Sequence, residues 1–563
     1  MNRRLLEKAA ALLAREKGTI YKDPGGRIRI CLVYPNTYRV GMSNLGFQGI
    51  YGLLNSRDDV VCERAFLPDE KDLEEHRRTG TPVFSLESRR PLDQFDIVAF
   101  SVSFENDYPH LIRILDLSRI PFRTAARTRY HPLLIAGGAC MSFNPEPLAP
   151  FLDVVFIGEA EEALGEFLDC YRRQADRDVL KRALLMLQGV YVPEFYDVAY
   201  DAEGRVARRS AQGGVPERVE RRIQRDLSRM PMSTAVVTPE AEFSGMYLIE
   251  AMRGCPWSCR FCLVGHTYNP PRKKDIAAIT GEIERAKDHA ADTGEAARAG
   301  QTKAGQTRIG LIGPSLSDYP YAKEVLCMEG VEFSITSLRA SAKSAGLVEL
   351  LKRHKSVSIA PEAGTERMRS VIDKRITEQD ILETAQLILT AGIETLRLYF
   401  MIGLPTETEE DVAGIAGLVK KIRALSARGS LVASISTFVP KPFTPFQWHP
   451  MEALDSVKRK MKTIKDAVKN ERGIKVFHDV PKYAFMQGLF SRGSRRIAPV
   501  LEAMAHTDDW RAASAAAGIS PEPCLFRARG FDEVLPWDFI DAGISKEKLW
   551  SAYNEALAGE RIS

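Results

Sequence analysis

Three cysteines crowd into one short stretch, Arg253-Gly-Cys255-Pro-Trp-Ser-Cys259-Arg-Phe-Cys262. The spacing is C-x3-C-x2-C. Thiolates are soft ligands suited to zinc or to iron–sulfur clusters. Three of them on one loop can hold three corners of a [4Fe–4S] cube and leave the fourth iron open. Gly254 and Pro256 favour the tight, non-helical backbone that such wrapping needs. Structural zinc is the competing reading. His266 follows Cys262 by four, so a Cys3His set is arithmetically available. The remaining six of the nine cysteines are scattered singly. An odd, sparse count argues against a secreted disulfide framework.

These residues must be carried by a sizeable chain. At 563 residues, three or four domains are expected. With 27% charged and 45% hydrophobic residues, a disordered or fibrous chain is excluded. The formal net charge of +4 gives no dominant attraction to nucleic acid or membrane. The basic opening MNRRLLEKAAALLAREKG is interrupted by Glu7, Lys8, Arg15 and Glu16, so it reads as a surface helix within residues 1–27, not a signal peptide. No apolar run reaches membrane-spanning length. A soluble, reducing, cytoplasmic setting is the expectation.

Two α/β regions follow. Strand candidates at Ile28–Tyr34, Val60–Arg64, Asp96–Ser103, Pro132–Gly137 and Asp153–Ile157 alternate with helix-like stretches Leu45–Leu54, Pro109–Arg119 and Glu161–Arg172. Short apolar runs without alternation suit a parallel sheet buried on both faces. Residues 28–175 therefore read as a doubly wound, Rossmann-like domain. Residues 176–240 read as an Arg/Glu-rich connector. A second alternating run spans 241–450, with strands at Tyr247–Met252, Arg308–Gly313, Val331–Thr336, Ser356–Ala360, Thr395–Ile402 and Leu431–Val439. Ile276, Ile279, Ile283 and Ala286 carry helical spacing, as do Val412, Ile415, Leu418, Val419, Ile422 and Leu425. Six β/α units predict a partial (β/α)6 barrel. Ala290–Thr307 reads as a loose insertion. Residues 451–563 read as mainly helical.

The cysteine loop starts where the first barrel strand ends, which is the catalytic face of β/α barrels. Small and polar residues follow the later strands on the same rim: Gly313-Pro314-Ser315, Ser337-Leu-Arg339, Glu362-Ala-Gly364, Gly403-Leu-Pro405 and Lys441. A zinc module seated at a barrel mouth would be unusual.

C-x3-C-x2-C with Phe261 before the last cysteine, followed by a partial barrel, resembles the radical S-adenosylmethionine (SAM) superfamily. The resemblance implies that Cys255, Cys259 and Cys262 bind [4Fe–4S], with the open iron chelating SAM. It implies SAM contacts from Phe261, Gly313, Pro314, Ser315, Ser337, Arg339, Glu362, Gly403 and Pro405. Gly313-Pro-Ser315 departs from the family's common Gly-Gly-Glu form. An electron donor such as flavodoxin or ferredoxin is implied as a partner.

The first domain has no G-x-G-x-x-G and no P-loop. Its loops at strand C-termini are small and polar, and that edge is where open α/β sheets bind ligands. The layout resembles the cobalamin-binding domains found before radical SAM barrels. Cobalamin is thus implied as a further cofactor, over Tyr38, Gly41, Ser101, Ser103, Gly137, Gly138 and Gly158. The Asp-x-His-x-x-Gly motif for a lower axial histidine is absent, and Asp107-Tyr-Pro-His110 has the wrong spacing. A methylthiotransferase-like sulfur inserter would need three more cysteines in this domain. Cys31, Cys62, Cys140 and Cys170 read instead as buried small hydrophobes, although Phe438–Gln447 resembles the corresponding barrel segment of that class. A non-enzymatic zinc or RNA-interaction protein is the remaining alternative. The basic run Arg492–Arg496 reads as a solvated helix face rather than a phosphate contact.

Overall fold

The computed structural model describes residues 2–230, 232–291, 307–335, 337–351 and 354–559. The first sheet comprises β1 (Ile28–Tyr34), β2 (Val60–Phe66), β3 (Ile97–Ser101), β4 (Leu133–Gly137), β5 (Val154–Phe156) and β6 (Val190–Tyr191), in the order β2-β1-β3-β4-β5-β6. All pairings are parallel except β5 with β6. Helices Leu45–Ser56, Glu70–Thr79, Tyr108–Leu117 and Ala163–Arg173 cross between strands. The doubly wound reading is correct, and Glu70–Thr79 is a helix that its low hydrophobicity hid. Edge strand β2 is buried along its whole length. Its Arg64 is fully enclosed and paired with Glu16 and Glu87 at 2.6 and 2.7 Å. The segment after the N-terminal helix Arg3–Leu13 thus covers an edge that would otherwise be open for pairing.

The connector is more ordered than its composition suggests. It holds helix Arg177–Leu184, a hairpin of β7 (Tyr196–Tyr200) and β8 (Val206–Ala211), and β9 (Val219–Glu220).

The second region contains β10 (Tyr247–Glu250), the short pair β11 (Met252–Arg253) and β12 (Arg272–Lys273), β13 (Thr307–Ile312), β14 (Val331–Ser334), β15 (Ser337–Leu338), β16 (Ser356–Glu362), β17 (Thr395–Ile402), β18 (Ser430–Thr437) and β19 (Ile474–His478). Strands β10-β13-β14 and β15-β16-β17-β18-β19 form two successive parallel sheets. Ile249, Ile309, Ile359, Leu398 and Ile435 belong to one continuous core, so both sheets close on the same interior. Helices Ile276–Ala291, Glu378–Thr390 and Glu409–Leu425 pack outside. Ile279, Ile283, Val412, Ile415 and Ile422 are buried, as their spacing predicts. Capping boxes start two of these helices, at Thr377/Asp380 and Thr408/Asp411. The expected insertion Ala290–Thr307 lies almost wholly outside the described residues.

The tail is mainly helical, as expected. β19 adds a strand beyond the six units, and β20 (Ile540–Asp541) returns to pair with β9 in the connector. One expectation about the tail needs correction: the basic run does not form a solvated face. Arg492 is buried, and Arg495 pairs with Glu146 at 2.9 Å. Phe485, Phe490, Trp510, Trp537 and Tyr553 share one core with Ile30, Phe100 and Phe156 of the first domain. Among the described residues no helix is long and apolar enough to cross a membrane.

Candidate functional site

The cysteine loop begins directly after β11. Gly254 adopts φ +82°, and a Cβ there would collide with the Tyr268 carbonyl oxygen. Only glycine combines the left-handed backbone with that approach. A Cβ on Gly265 would likewise strike the Trp257 carbonyl. Within the loop, the Cys262 amide donates to the Cys259 carbonyl at 2.9 Å. Cys255 and Cys262 are half-buried, and Cys259 is buried.

Neighbouring strand ends lock this loop. The Trp257 indole N–H donates to Asp318 Oδ2 at 2.7 Å, and Ser315 Oγ donates to the same oxygen at 2.8 Å. The Arg339 guanidinium lies 3.7 Å over the Trp257 ring and donates to the carbonyls of Lys374 and Arg375. Ser258 Oγ donates to Asp373 Oδ2 at 3.2 Å. Arg260 is buried and donates to the Val371 carbonyl at 2.8 Å. The loop is therefore held by β13's Gly-Pro-Ser turn, β15's Arg339 and the segment after β16.

Burial pushes all three thiols up, toward the protonated form, while Lys374 and Arg339 oppose that shift at Cys259. Lys374 is itself enclosed and pairs with Glu362 at 3.0 Å. For the zinc reading, His266 Nε2 lies 3.2 Å from the Cys259 carbonyl oxygen, which occupies that nitrogen, and burial lowers the ring's pKa to about 4. Among the described residues no group of three His, Cys, Asp or Glu could hold a single metal ion. A [4Fe–4S] cube takes its thiolates at separate corners, and three cysteines on one glycine-hinged loop are the donor set it needs.

The other rim residues are distributed as follows. Glu362 ends β16 in the left-handed region, φ +66°, with Asp373 and Arg375 similarly at φ +51° and +50°. Such strain in non-glycine residues persists only where surroundings dictate it. Gly403 has φ +82°, and its amide donates to Glu407 Oε2 at 2.8 Å. Pro405 is buried beside it, Phe261 is half-buried, and Ser337 is exposed. Lys441 pairs with Glu105 of the first domain, joining the two rims.

A cavity of about 630 Å³ lies between the domains. Ser101, Ser103, Gly137, Gly138 and Gly158 line it from the first sheet's C-terminal edge, and Gly254, Gly313 and Pro314 line it from the barrel. Most of the lining is apolar, with Arg253 ion-paired to Glu159, Glu161 and Glu250 on one wall. Tyr38 and Gly41 stand elsewhere. Tyr38 donates to Glu16 at 2.7 Å and lines a separate cavity, and Gly41 packs against Phe66. Among the described residues no histidine lines the interdomain cavity. His110 Nδ1 is instead 3.0 Å from the Pro35 carbonyl oxygen.

Comparison with known proteins agrees with this geometry. Residues 249–419 match the radical SAM superfamily, and residues 46–193 match the N-terminal domain of radical SAM proteins. The chain carries radical SAM domains. This radical SAM protein is 28% identical over 477 residues to an uncharacterized protein of Methanocaldococcus jannaschii, covering 84% of this chain and 90% of that one. It is 26% identical over 205 residues to tRNA-2-methylthio-N(6)-dimethylallyladenosine synthase of Sorangium cellulosum, covering 31% and 38%. Its fold resembles the radical SAM methyltransferase TsrM of Kitasatospora setae, solved with cobalamin and a [4Fe–4S] cluster bound. The TM-score is 0.53 at 12% identity, over 87% of this chain and 100% of that one. Such a domain implies an enzyme that uses a [4Fe–4S] cluster and SAM.

Several site residues escape sequence reasoning. Asp318, Asp373 and Lys374 hold the cluster loop or its rim, yet no motif marks them. Arg253 had a signal, since it directly precedes Gly254-Cys255, but its three carboxylate partners come from β10 and from the first domain.

Proposed function

We propose that this radical SAM protein is a cobalamin-dependent enzyme that methylates or rearranges an unactivated carbon. The shared cavity carries this reading. Small residues at the C-terminal ends of β3, β4 and β5 face the residues flanking the cluster loop across one largely apolar space. A large apolar-faced cofactor on the sheet edge would therefore lie beside Gly254 and Gly313. Cys255, Cys259 and Cys262 would hold the cluster, which with SAM supplies reductive cleavage to methionine and a 5′-deoxyadenosyl radical. Cobalamin, when bound, supplies methyl-carrier or rearrangement chemistry at its metal.

The chain's own residues bind, orient and shield. Asp318 fixes Trp257 and Ser315, so the turn after β13 and the cluster loop move as one. Arg339 caps Trp257, and Lys374 fixes the Glu362 carboxylate. The apolar cavity walls exclude water from a reactive carbon centre. Among the described residues no imidazole lines the cavity, so the small residues of the sheet edge are the ones that would hold the corrin.

The test is anaerobic purification followed by a cobalamin titration, then turnover with SAM and reductant. Cobalamin binding with S-adenosylhomocysteine formed only when cobalamin is present supports methyl transfer. 5′-Deoxyadenosine with no cobalamin binding would leave a radical SAM enzyme and sink the cobalamin reading.

A further inference from the structure

We propose that the open barrel face beside the interdomain cavity docks a single-stranded nucleic acid. The strand register carries it. Leu396, Leu398, Phe400 and Ile402 of β17 share one core with Ile381 and Ile415 of the covering helices. The alternate residues Arg397, Tyr399 and Met401 therefore stand on the other face of the sheet, the barrel side. Across that face Tyr399 lies opposite Ser434 of β18, and Ser434 opposite Phe477 of β19. Two rings thus flank one serine, two strand spacings or about 9.6 Å apart. Tyr399 is 42% exposed and Phe477 57%. Two residues earlier on the same strands stand Arg397 and Lys475, with Val432 between them. That row of cations is about 6.6 Å from the row of rings, comparable to the span from a base to its own phosphate.

The pattern continues past β19. Val480 and Tyr483 are exposed, and Lys482 lies 4.8 Å over the Tyr483 ring. The Asn106 side-chain amide donates to the Tyr483 carbonyl at 3.2 Å, which brings the loop of exposed Phe104 to this helix. Ser103, the residue before it, lines the interdomain cavity. Half of the exposed aromatic side chains among the described residues thus stand along one path that ends at the cavity. Exposed apolar surface concentrated in this way marks an interaction site. The cations along it are uncommitted: Arg397, Lys475 and Lys482 form no ion pair among the described residues. The neighbouring carboxylates are engaged, Glu105 by Lys441, Asp479 by the Thr437 amide and Asp508 by Arg113. Rings that stack bases, interleaved with cations that follow phosphates, are how single strands are held. A duplex hides its base faces and cannot use the rings.

Fluorescence anisotropy of the full chain with a labelled single-stranded RNA of about 12 nucleotides tests this surface. Phe477→Ala and Tyr483→Ala are each expected to weaken binding about tenfold, and Phe477→Trp to retain it. Lys475→Ala and Lys482→Ala should each lower the slope of log affinity against log salt by about one. All four side chains are exposed, so thermal midpoints should match wild type. Ring variants that bind as wild type does would overturn the stacking surface, as would equal competition by a duplex of the same sequence. Equal competition by free AMP, at matched nucleotide concentration, would overturn the polymer and leave a mononucleotide slot. Neither cluster nor cobalamin enters the measurement. Failed strand binding therefore leaves the proposed reaction standing, and a failed cobalamin titration leaves this surface standing.

Discussion

Lys374 and Glu362 show how much a single pair decides at this site. The ammonium is enclosed beside Cys259 and its ion-pair partner is a carboxylate held in a left-handed backbone conformation. Removing one member of an enclosed pair leaves an uncompensated charge. Lys374→Met should therefore cost about 3 kcal/mol of stability, measured by urea unfolding. It should also weaken SAM binding, read by equilibrium dialysis. An unaltered urea midpoint would refute the pair's role. His449 gives a pH prediction at the same scale. Burial, aided by Arg492, lowers its pKa to about 4 from the ordinary 6.5. Below pH 6.5 the unfolded chain takes up a proton that the folded chain refuses until about pH 4. The stability linked to His449 is thus complete above pH 6.5 and is lost as pH falls toward 4. His449→Phe should flatten that part of the decline; an identical decline in the variant would assign it elsewhere. Of these residues only Glu362 was legible in the sequence. A lysine or histidine matters here because of what folds against it, and that contact leaves no spacing to read.

At the scale of elements, the cluster loop depends on its glycine hinges. Gly254→Ala places a methyl against the Tyr268 carbonyl at φ +82°, so the loop must shift. The β10 core lies behind it and is well packed. Iron and sulfide content should fall sharply while far-ultraviolet circular dichroism stays native; full cluster loading would show that the hinge is not needed. The strands that lead to this loop were readable because a buried parallel strand is a continuous apolar run. All five strands expected in the first sheet and all six expected in the barrel stand within a few residues of their positions in the structure. β19 was not readable. Ile474–His478 is largely exposed and carries Lys475 and His478, so its sequence has neither the apolar run nor a buried face. It is a strand because β18 offers it a free edge, which is a tertiary cause. The same holds for the locks on the cluster loop, where Asp318 and Asp373 arrive from different β/α units.

At the scale of the molecule, the C-terminal region completes the first domain instead of standing apart. Tyr108 stacks on Phe490 with ring centroids 5.7 Å apart, and the Asn144 amide donates to the carbonyls of Ser491 and Gly493. Arg495 reaches both Glu146 and the Tyr191 hydroxyl on the first sheet. Trp448 and Trp537 are among the largest fully enclosed side chains, and Trp537 Nε1 donates to Gln447 at 2.8 Å. Composition could not disclose this, because a helical tail with basic runs looks the same whether it caps a domain or floats free. The consequence is that the domains cannot be separated at residue 450. A chain ending there would expose the Tyr108 and Phe446 surfaces and strand Glu146 without Arg495, a buried acid left short of a partner. Loss of one enclosed tryptophan alone, as in Trp537→Ala, should cost about 3–5 kcal/mol. Residues 1–450 are therefore expected to lack a cooperative thermal transition, whereas the full chain unfolds with the first domain and tail together. Limited proteolysis with mass spectrometry checks the coupling. A stable 1–450 fragment with a cooperative transition of its own would show that the first domain folds alone, and the tail would then have to be assigned another role.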